Sequence, residues 1–216
     1  MTIPVFVVSG QAIFREMLTH TLRATELRLV GTMTRGAEGM NEIIEARPRI
    51  VILDEFTPQL SVFAWVDRLS AVLPDTRVIC YLRHLRGVSC QTLLSLGAKG
   101  IADPRVESAA FLRGIERVLR GDVYLSPLAA QVLALNRVSE RNPFQKLSPR
   151  ELTVCDLVIE GVRPVQIARD LKVSPKTVNT YRYRIFEKLG IASDVGLTHL
   201  AYRHGMKGLE SPHERV

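Results

Sequence analysis

Short apolar runs alternate with helical patterns through the first 121 residues, and from Leu147 onward only helical patterns remain. Residues 3–8 (Ile-Pro-Val-Phe-Val-Val), 50–53 (Ile-Val-Ile-Leu) and 77–82 (Arg-Val-Ile-Cys-Tyr-Leu) are each too short for a buried helix. Runs of this kind read as strands buried on both faces of a parallel sheet. Weaker strands fit residues 29–33 and 100–102. Between them, apolar residues recur at helical spacing. Residues 11–25 carry Ile13, Met17, Leu18 and Leu22, and 37–46 carry Met40, Ile43 and Ile44. Residues 62–72 carry Val62, Trp65, Val66 and Leu69, 88–96 carry Leu93, Leu94 and Leu96, and 107–120 carry Phe111, Ile115, Val118 and Leu119. The alternation predicts a doubly wound α/β domain over residues 1–121, with five strands and five helices in a (βα)5 order.

Residues 122–146 break the pattern at Pro127, Asn136, Asn142 and Pro143. They read as a linker, helical over 128–135 and flexible over 139–146. An all-α, four-helix domain is expected over 147–206, followed by a frayed tail at 207–216. Its first helix opens with Ser148 as N-cap, Pro149 in the first turn and Glu151 as capping-box acid. Leu152, Cys155, Leu157, Val158 and Ile159 give that helix an apolar side, and Gly161 stops it. A second helix, from about Pro164 to Leu171, is expected to bury Val165, Ile167, Ala168 and Leu171, with Val173 in a tight turn after it. Ser174-Pro175 repeats the cap and opens a third helix to about Leu189. Ser193-Asp194 starts a fourth, ending near His204-Gly205.

The third helix carries the functional signal. Val178, Tyr181, Ile185 and Leu189 share one face, which packs inward. The opposite face holds Lys176, Asn179, Thr180, Tyr183 and Arg184, flanked by Arg182 and Lys188. Amides, hydroxyls and cations on the second helix of a short helix-turn-helix suit the major groove of duplex DNA. Asn179 matches adenine, Thr180 a base edge or a thymine methyl, and Arg182 is read as a phosphate contact. The helix N-terminus at Ser174 and Thr177 offers N–H groups to one more phosphate. A solvated basic helix in a small bundle is the blander alternative. The net charge of +7 in 216 residues fits an anionic partner but does not by itself require one.

Residues 147–206 closely resemble the DNA-binding domain of LuxR/NarL-type response regulators. The resemblance rests on Leu-Ser-Pro-Arg-Glu-Leu at 147–152, Glu160-Gly161, Ile167-Ala168 and the run Ser-Pro-Lys-Thr-Val-Asn-Thr-Tyr-Arg-Tyr-Arg-Ile-Phe-Glu-Lys-Leu at 174–189. That run, with Arg203-His204-Gly205-Met206, is most similar to the GacA/UvrY branch. The resemblance implies a recognition helix at 175–189 with base contacts from Asn179, Thr180 and Tyr183. It also implies homodimerisation through the last helix, with Val195, Leu197, Thr198 and Ala201 as candidate contacts, and ordinary core packing as the alternative for the same residues.

The N-terminal domain resembles the receiver domain of these proteins in outline. Asp54 follows the strand at 50–53, with Pro58 four residues later, where a receiver's phospho-acceptor stands. Receivers hold Mg²⁺ with an acidic pair after the first strand; those positions read Ser9-Gly10. The position of the hydroxyl residue after the fourth strand holds Leu82, and that of the lysine after the fifth holds Pro104, preceded by Asp103, with a one-residue gap, which the spacing does not favour, bringing in Arg105 instead. Phosphoryl transfer needs a cation held by hard oxygens and positive charge on the phosphoryl oxygens. Glu55 is expected to point to the side opposite Asp54. A pseudo-receiver, not switched by ordinary phosphorylation, is therefore expected, with no metal and no cofactor.

Cys80, Cys90 and Cys155 form no CxxC, which argues against a disulfide framework and for a reducing, cytoplasmic setting. Neither a secretory leader nor a run of eighteen apolar residues occurs, so no membrane association is expected. The five histidines form no ligand cluster, and GxxxxGK[ST], GxGxxG and HExxH are absent, which leaves an enzyme without a catalytic constellation. Arg83, His84 and Arg86 read as a solvated basic loop, and Trp65 as core. The sequence thus points to a dimeric transcription regulator on a roughly palindromic site. The alternatives are a protein-interaction module that binds a sensor kinase or another regulator, and a phosphorylation-switched regulator using Asp54.

Overall fold

The computed structural model describes residues 2–23, 25–33, 39–55, 61–138 and 142–204. Five parallel strands, β1 (Ile3–Val8), β2 (Leu27–Met33), β3 (Ile50–Asp54), β4 (Arg77–Tyr81) and β5 (Gly100–Ala102), alternate with α1 (Ala12–Leu22), α2 (Gly39–Ala46), α3 (Val62–Val72), α4 (Gly87–Ser95) and α5 (Ser108–Leu119). A sixth strand, β6 (Tyr124–Leu125), closes the sheet in the order β2-β1-β3-β4-β5-β6. The reversal of strand order at β1 and β3 makes the sheet doubly wound.

Side-chain alternation assigns the two faces. Phe6, Val8, Val51, Leu53, Val78 and Cys80 meet residues of α2, α3 and α4. Val5, Val7, Ile50, Ile52, Ile79 and Tyr81 meet α1 and α5. Because both faces are covered, all of β3 is buried, and its sequence is continuous in apolar residues until Asp54.

The sequence expectation needs correction at several points. The sixth strand lies in the stretch read as linker, where two residues pairing with Gly100 and Ile101 are too few to carry a period. Tyr124 packs over Gly114, whose missing Cβ leaves room for the ring. The linker helix is longer than read: α6 (Pro127–Val138) packs on α4. Of the supposedly flexible 139–146, residues 139–141 lie outside the described residues, and Pro143–Lys146 is a 3-10 helix whose Phe144 is wholly buried. On α1 the buried stripe is Phe14, Leu18 and Leu22, while Ile13 and Met17 are exposed, because the sheet takes the face one residue round. The tail 207–216 and Pro58 lie outside the described residues.

The helical part comprises α7 (Pro149–Ile159), α8 (Pro164–Asp170), α9 (Pro175–Leu189) and α10 (Asp194–Arg203). The capping box at the start of α7 forms in both directions, Ser148 Oγ accepting from Glu151 N and Glu151 Oε2 from Ser148 N. Gly190 ends α9 in the left-handed region at φ 66°, which a glycine enters without steric cost. Val165 is exposed rather than buried: α8 is seven residues long and only Ile167, Ala168 and Asp170 turn inward.

Phe144 anchors the helical part from outside its four helices. Phe144→Ala is expected to cost about 3–5 kcal/mol, since the ring leaves a cavity that a 3-10 turn cannot collapse into. Thermal unfolding followed by circular dichroism checks it; a loss under 1 kcal/mol would contradict the anchoring role.

Candidate nucleic-acid interface

The turn between α8 and α9 is short and sharp. Lys172 takes a left-handed conformation (φ 54°), and Val173 N donates to Ala168 O at 2.9 Å. It brings α9 across α8 and α7 with Val178 and Ile185 wholly buried and Tyr181 and Leu189 half-buried. Burial of that face fixes the other. Lys176, Asn179, Thr180, Tyr183 and Arg184 are all exposed, Tyr183 at 73%. The sequence-derived set thus shares one outward surface.

Local bonds shape it. Ser174 caps α9, its Oγ accepting from Thr177 N at 3.0 Å and lying 2.8 Å from Thr177 Oγ1. Thr180 Oγ1 donates back to Lys176 O at 3.0 Å, which leaves its oxygen lone pairs to accept from a partner. The two flanking cations are engaged inside the domain. Lys188 Nζ donates to Glu151 Oε2 at 2.7 Å. Arg182 meets Asp194 through two parallel bonds, Nε to Oδ1 at 3.2 Å and Nη2 to Oδ2 at 2.5 Å, and its Nη1 donates to Asn179 Oδ1 at 3.1 Å. Its guanidinium carbon also sits 5.8 Å from the Phe186 ring centroid. Glu151 was legible in sequence as a capping-box acid and Asp194 as the start of α10; which cation each would hold depends on how the helices cross.

Of the proposed dimer contacts on α10, Leu197 and Ala201 are wholly buried in the domain's own core and are not available to a partner. Helical periodicity accounts for this: 197 and 201 lie one turn apart on the inward face. Val195 (66%) and Thr198 are exposed, as are His199 and Tyr202.

At the end of β3, Asp54 is wholly buried. Ser9 Oγ donates to its Oδ2 at 2.6 Å, and Oδ1 has no hydrogen-bond partner among the described residues. Glu55 faces the loop after β4, accepting from Arg83 N at 2.6 Å and His84 N at 3.1 Å. Leu82 is buried and Pro104 exposed. Asp103 is buried and accepts from Ser126 Oγ at 2.5 Å, tying β5 to the start of α6. Among the described residues, one carboxylate and one hydroxyl at Asp54 are a poor donor set for Mg²⁺, which takes oxygen ligands in octahedral array. Cys80, Cys90 and Cys155 are free and buried; burial raises the Cys90 thiol to about 11 and the other two well above the usual thiol range. They are therefore protonated packing residues. No described helix is long and apolar enough to cross a membrane.

A doubly wound receiver-like sheet joined to a four-helix unit with an outward recognition helix defines a response regulator with a helix-turn-helix output domain. The chain belongs to the LuxR-type response regulators. Residues 145–201 match the family described as bacterial regulatory proteins, luxR family. The chain is 37% identical over 209 residues to response regulator GacA of Pseudomonas viridiflava, covering 94% of this chain and 97% of that one. It is 29% identical over 188 residues to response regulator UvrY of Escherichia coli K12, covering 86% of each. Its fold matches RcsB from Salmonella enterica serovar Typhimurium bound to promoter rprA, with a TM-score of 0.73, 18% identity, and coverage of 93% of this chain and 98% of that one.

Glu151 gives this site a pH signature. Burial pushes its carboxyl up, but hydrogen bonds from Lys188 and Ser148 outweigh that and hold it below its ordinary value of 4.5. A depressed carboxylate stabilises the fold above its unfolded pKa and stops doing so as pH falls through the folded one. Glu151→Gln keeps the cap and removes the charge. It is expected to cost roughly 1–2 kcal/mol at neutral pH. The gap to wild type should close as the medium is acidified below 4.5, which paired melting curves across pH will test.

Proposed function

We propose that this protein is a sequence-specific, dimeric transcription regulator that inserts α9 into the major groove of duplex DNA. The observation that carries the reading is the outward surface formed together by Lys176, Asn179, Thr180, Tyr183 and Arg184 on the second helix of a tight helix-turn-helix. Asn179, Thr180 and Tyr183 are the base-reading groups. Lys176, Arg184 and the capped N-terminus at Ser174 and Thr177 meet phosphates. Arg182 and Lys188 act from within the domain, by holding it in shape. The dimer forms through the exposed side of α10, with Val195, Thr198 and Tyr202. RcsB, which shares this fold, is described as dimers bound to DNA. The functional units are a receiver-like domain at 1–121, a connection at 122–146 whose β6 and α6 belong physically to the first unit, and a DNA-binding domain at 147–206.

The receiver-like unit works without ordinary phosphorylation. In support, the Asp54 carboxylate is buried and bonded to Ser9, the positions of a receiver's acidic pair hold Ser9 and Gly10, and Leu82 and Pro104 replace its hydroxyl and lysine. A phosphoryl group at Asp54 finds no acidic pair to hold a metal ion and no lysine at the end of β5, and Arg15, the guanidinium on Ser9, is already donating to Ser9 O at 2.8 Å. The input is instead a protein contact, with a sensor kinase or another regulator. The exposed apolar pair Ile13 and Met17 on α1 favours that reading.

Two outcomes are expected. In a gel shift with genomic promoter fragments, binding is sequence-selective and weakens with salt; Arg184→Ala weakens all sequences alike and lowers the salt slope by about one. Salt-insensitive or sequence-blind binding counts against the reading. Separately, acetyl phosphate with Mg²⁺ leaves Asp54 unlabelled, and Asp54→Ala leaves promoter occupancy unchanged. Labelling at the rate of an ordinary receiver would falsify the phosphorylation-independent reading while sparing the DNA-binding one.

A further inference from the structure

Asn179 and Arg182 stand three residues apart on α9, and Asp194 begins α10. The guanidinium of Arg182 is held on three sides: by both carboxylate oxygens of Asp194, by the face of Phe186, and by the carbonyl Oδ1 of Asn179. Its side chain is only 24% exposed, and the carboxylate grip is the two-bond geometry that fixes an arginine's plane as well as its position. Arginine donates only, with no acceptor lone pair. An amide beside it must therefore present its oxygen, since turning the NH2 group inward would set donor against donor. With Oδ1 drawn to Arg182, the exposed Asn179 turns its nitrogen, carrying two N–H donors, away from the arginine.

We infer that the Asp194–Arg182 pair is a specificity-determining relay that locks the Asn179 amide with its donors outward, so that Asn179 reads hydrogen-bond acceptors on base edges. The inference rests on the DNA-reading role of α9 proposed above. A free asparagine pairs with adenine in two bonds, accepting from N6 and donating to N7. Here the accepting oxygen is already drawn toward a cation that occupies one of its two lone pairs. Guanine, with O6 and N7, and thymine, with O4, ask only for donors at that position. Arg182 is thus a positioning residue rather than a phosphate contact, which revises its sequence-derived role. Arg184, exposed and two residues on, remains a phosphate contact. Asp194 acts one step further back, since without its charge the guanidinium is free to swing outward and release the amide.

The test is selection of bound duplexes from a library of randomised double-stranded DNA by the full-length protein. Wild type, Asn179→Ala, Asp194→Asn, Arg182→Gln and Asn179→Ala/Asp194→Asn are compared. The position read by Asn179 is the one whose preference Asn179→Ala flattens. There the wild type is expected to favour guanine or thymine over adenine by roughly ten- to a hundredfold. Asp194→Asn and Arg182→Gln are expected to raise adenine at that position and leave the others as they were. In the Asn179→Ala background, Asp194→Asn should change no base preference, a coupling that mere support of the fold does not produce. Two substitutions on different helices guard against one of them unfolding the domain. An adenine optimum in the wild type, a preference that both relay variants leave in place, or no position sensitive to Asn179→Ala overturns the relay. Failure of the wild type to enrich any sequence overturns instead the DNA reading beneath it.

Discussion

Val178 and Ile185 lie seven residues apart, wholly buried, and fix the rotation of α9 about its own axis. Each residue of a helix turns about 100° from the last, so a one-residue slip of that buried stripe would carry Asn179 into the core and Val178 out. The surface offered to DNA is thus set by what is hidden beneath it. The same packing explains why α9 can be poor in apolar residues yet stay helical: tertiary burial of one face, Ser174 at one end and Gly190 at the other supply what propensity does not.

Much of the architecture was legible because it rests on periods. Strands buried on both faces, such as β3, read as continuous apolar runs, whereas the register of β3 against β1 and β4 is given by the structure alone. Legibility fails where a contact is set by the other partner. Nothing in Tyr124-Leu125 announces a strand; it exists because β5 offers an open edge. Ile13, Met17, Val165, Leu197 and Ala201 show the same limit on helices. A stripe of apolar residues wider than the contact leaves open which edge is covered, and a helix of seven residues leaves little period to judge by. In the candidate site, the outward five of α9 were readable from spacing alone. The partners of Arg182 and Lys188 were not, because Asp194 and Glu151 reach them only through the crossing of α9 with α10 and α7.

The carboxyl edge of the sheet is built from packing and capping contacts. Leu82 adds to the core there, and Asp103 ties β5 to Ser126 at the head of α6. Ser126 also accepts from Ala129 N at 3.3 Å, so one hydroxyl caps the helix and holds the strand end. A buried carboxylate is tolerated only where such bonds meet it. Of the bonds that satisfy Asp103, the one from Arg105 N at 3.1 Å is local and the one from Ser126 also seats α6.

That seat bears on how the two units are joined. Arg150 Nη1 meets Asp67 Oδ2 at 2.6 Å between α7 and α3, with the arginine side chain 43% exposed. An ion pair so open to water contributes about 1 kcal/mol or less, and less again as salt rises. The apolar contact around it is of a different kind: α6 and α7 both pack on α4, and the buried cluster runs without a break from Trp65 and Leu93 to Ala129 and Val154. Area removed from water does not depend on ionic strength in the way a surface charge pair does. Burial therefore sets how firmly the output unit is held, and the Arg150–Asp67 pair adds little to it. A binding event at the receiver-like unit that moved α4 would act on the stronger of the two connections.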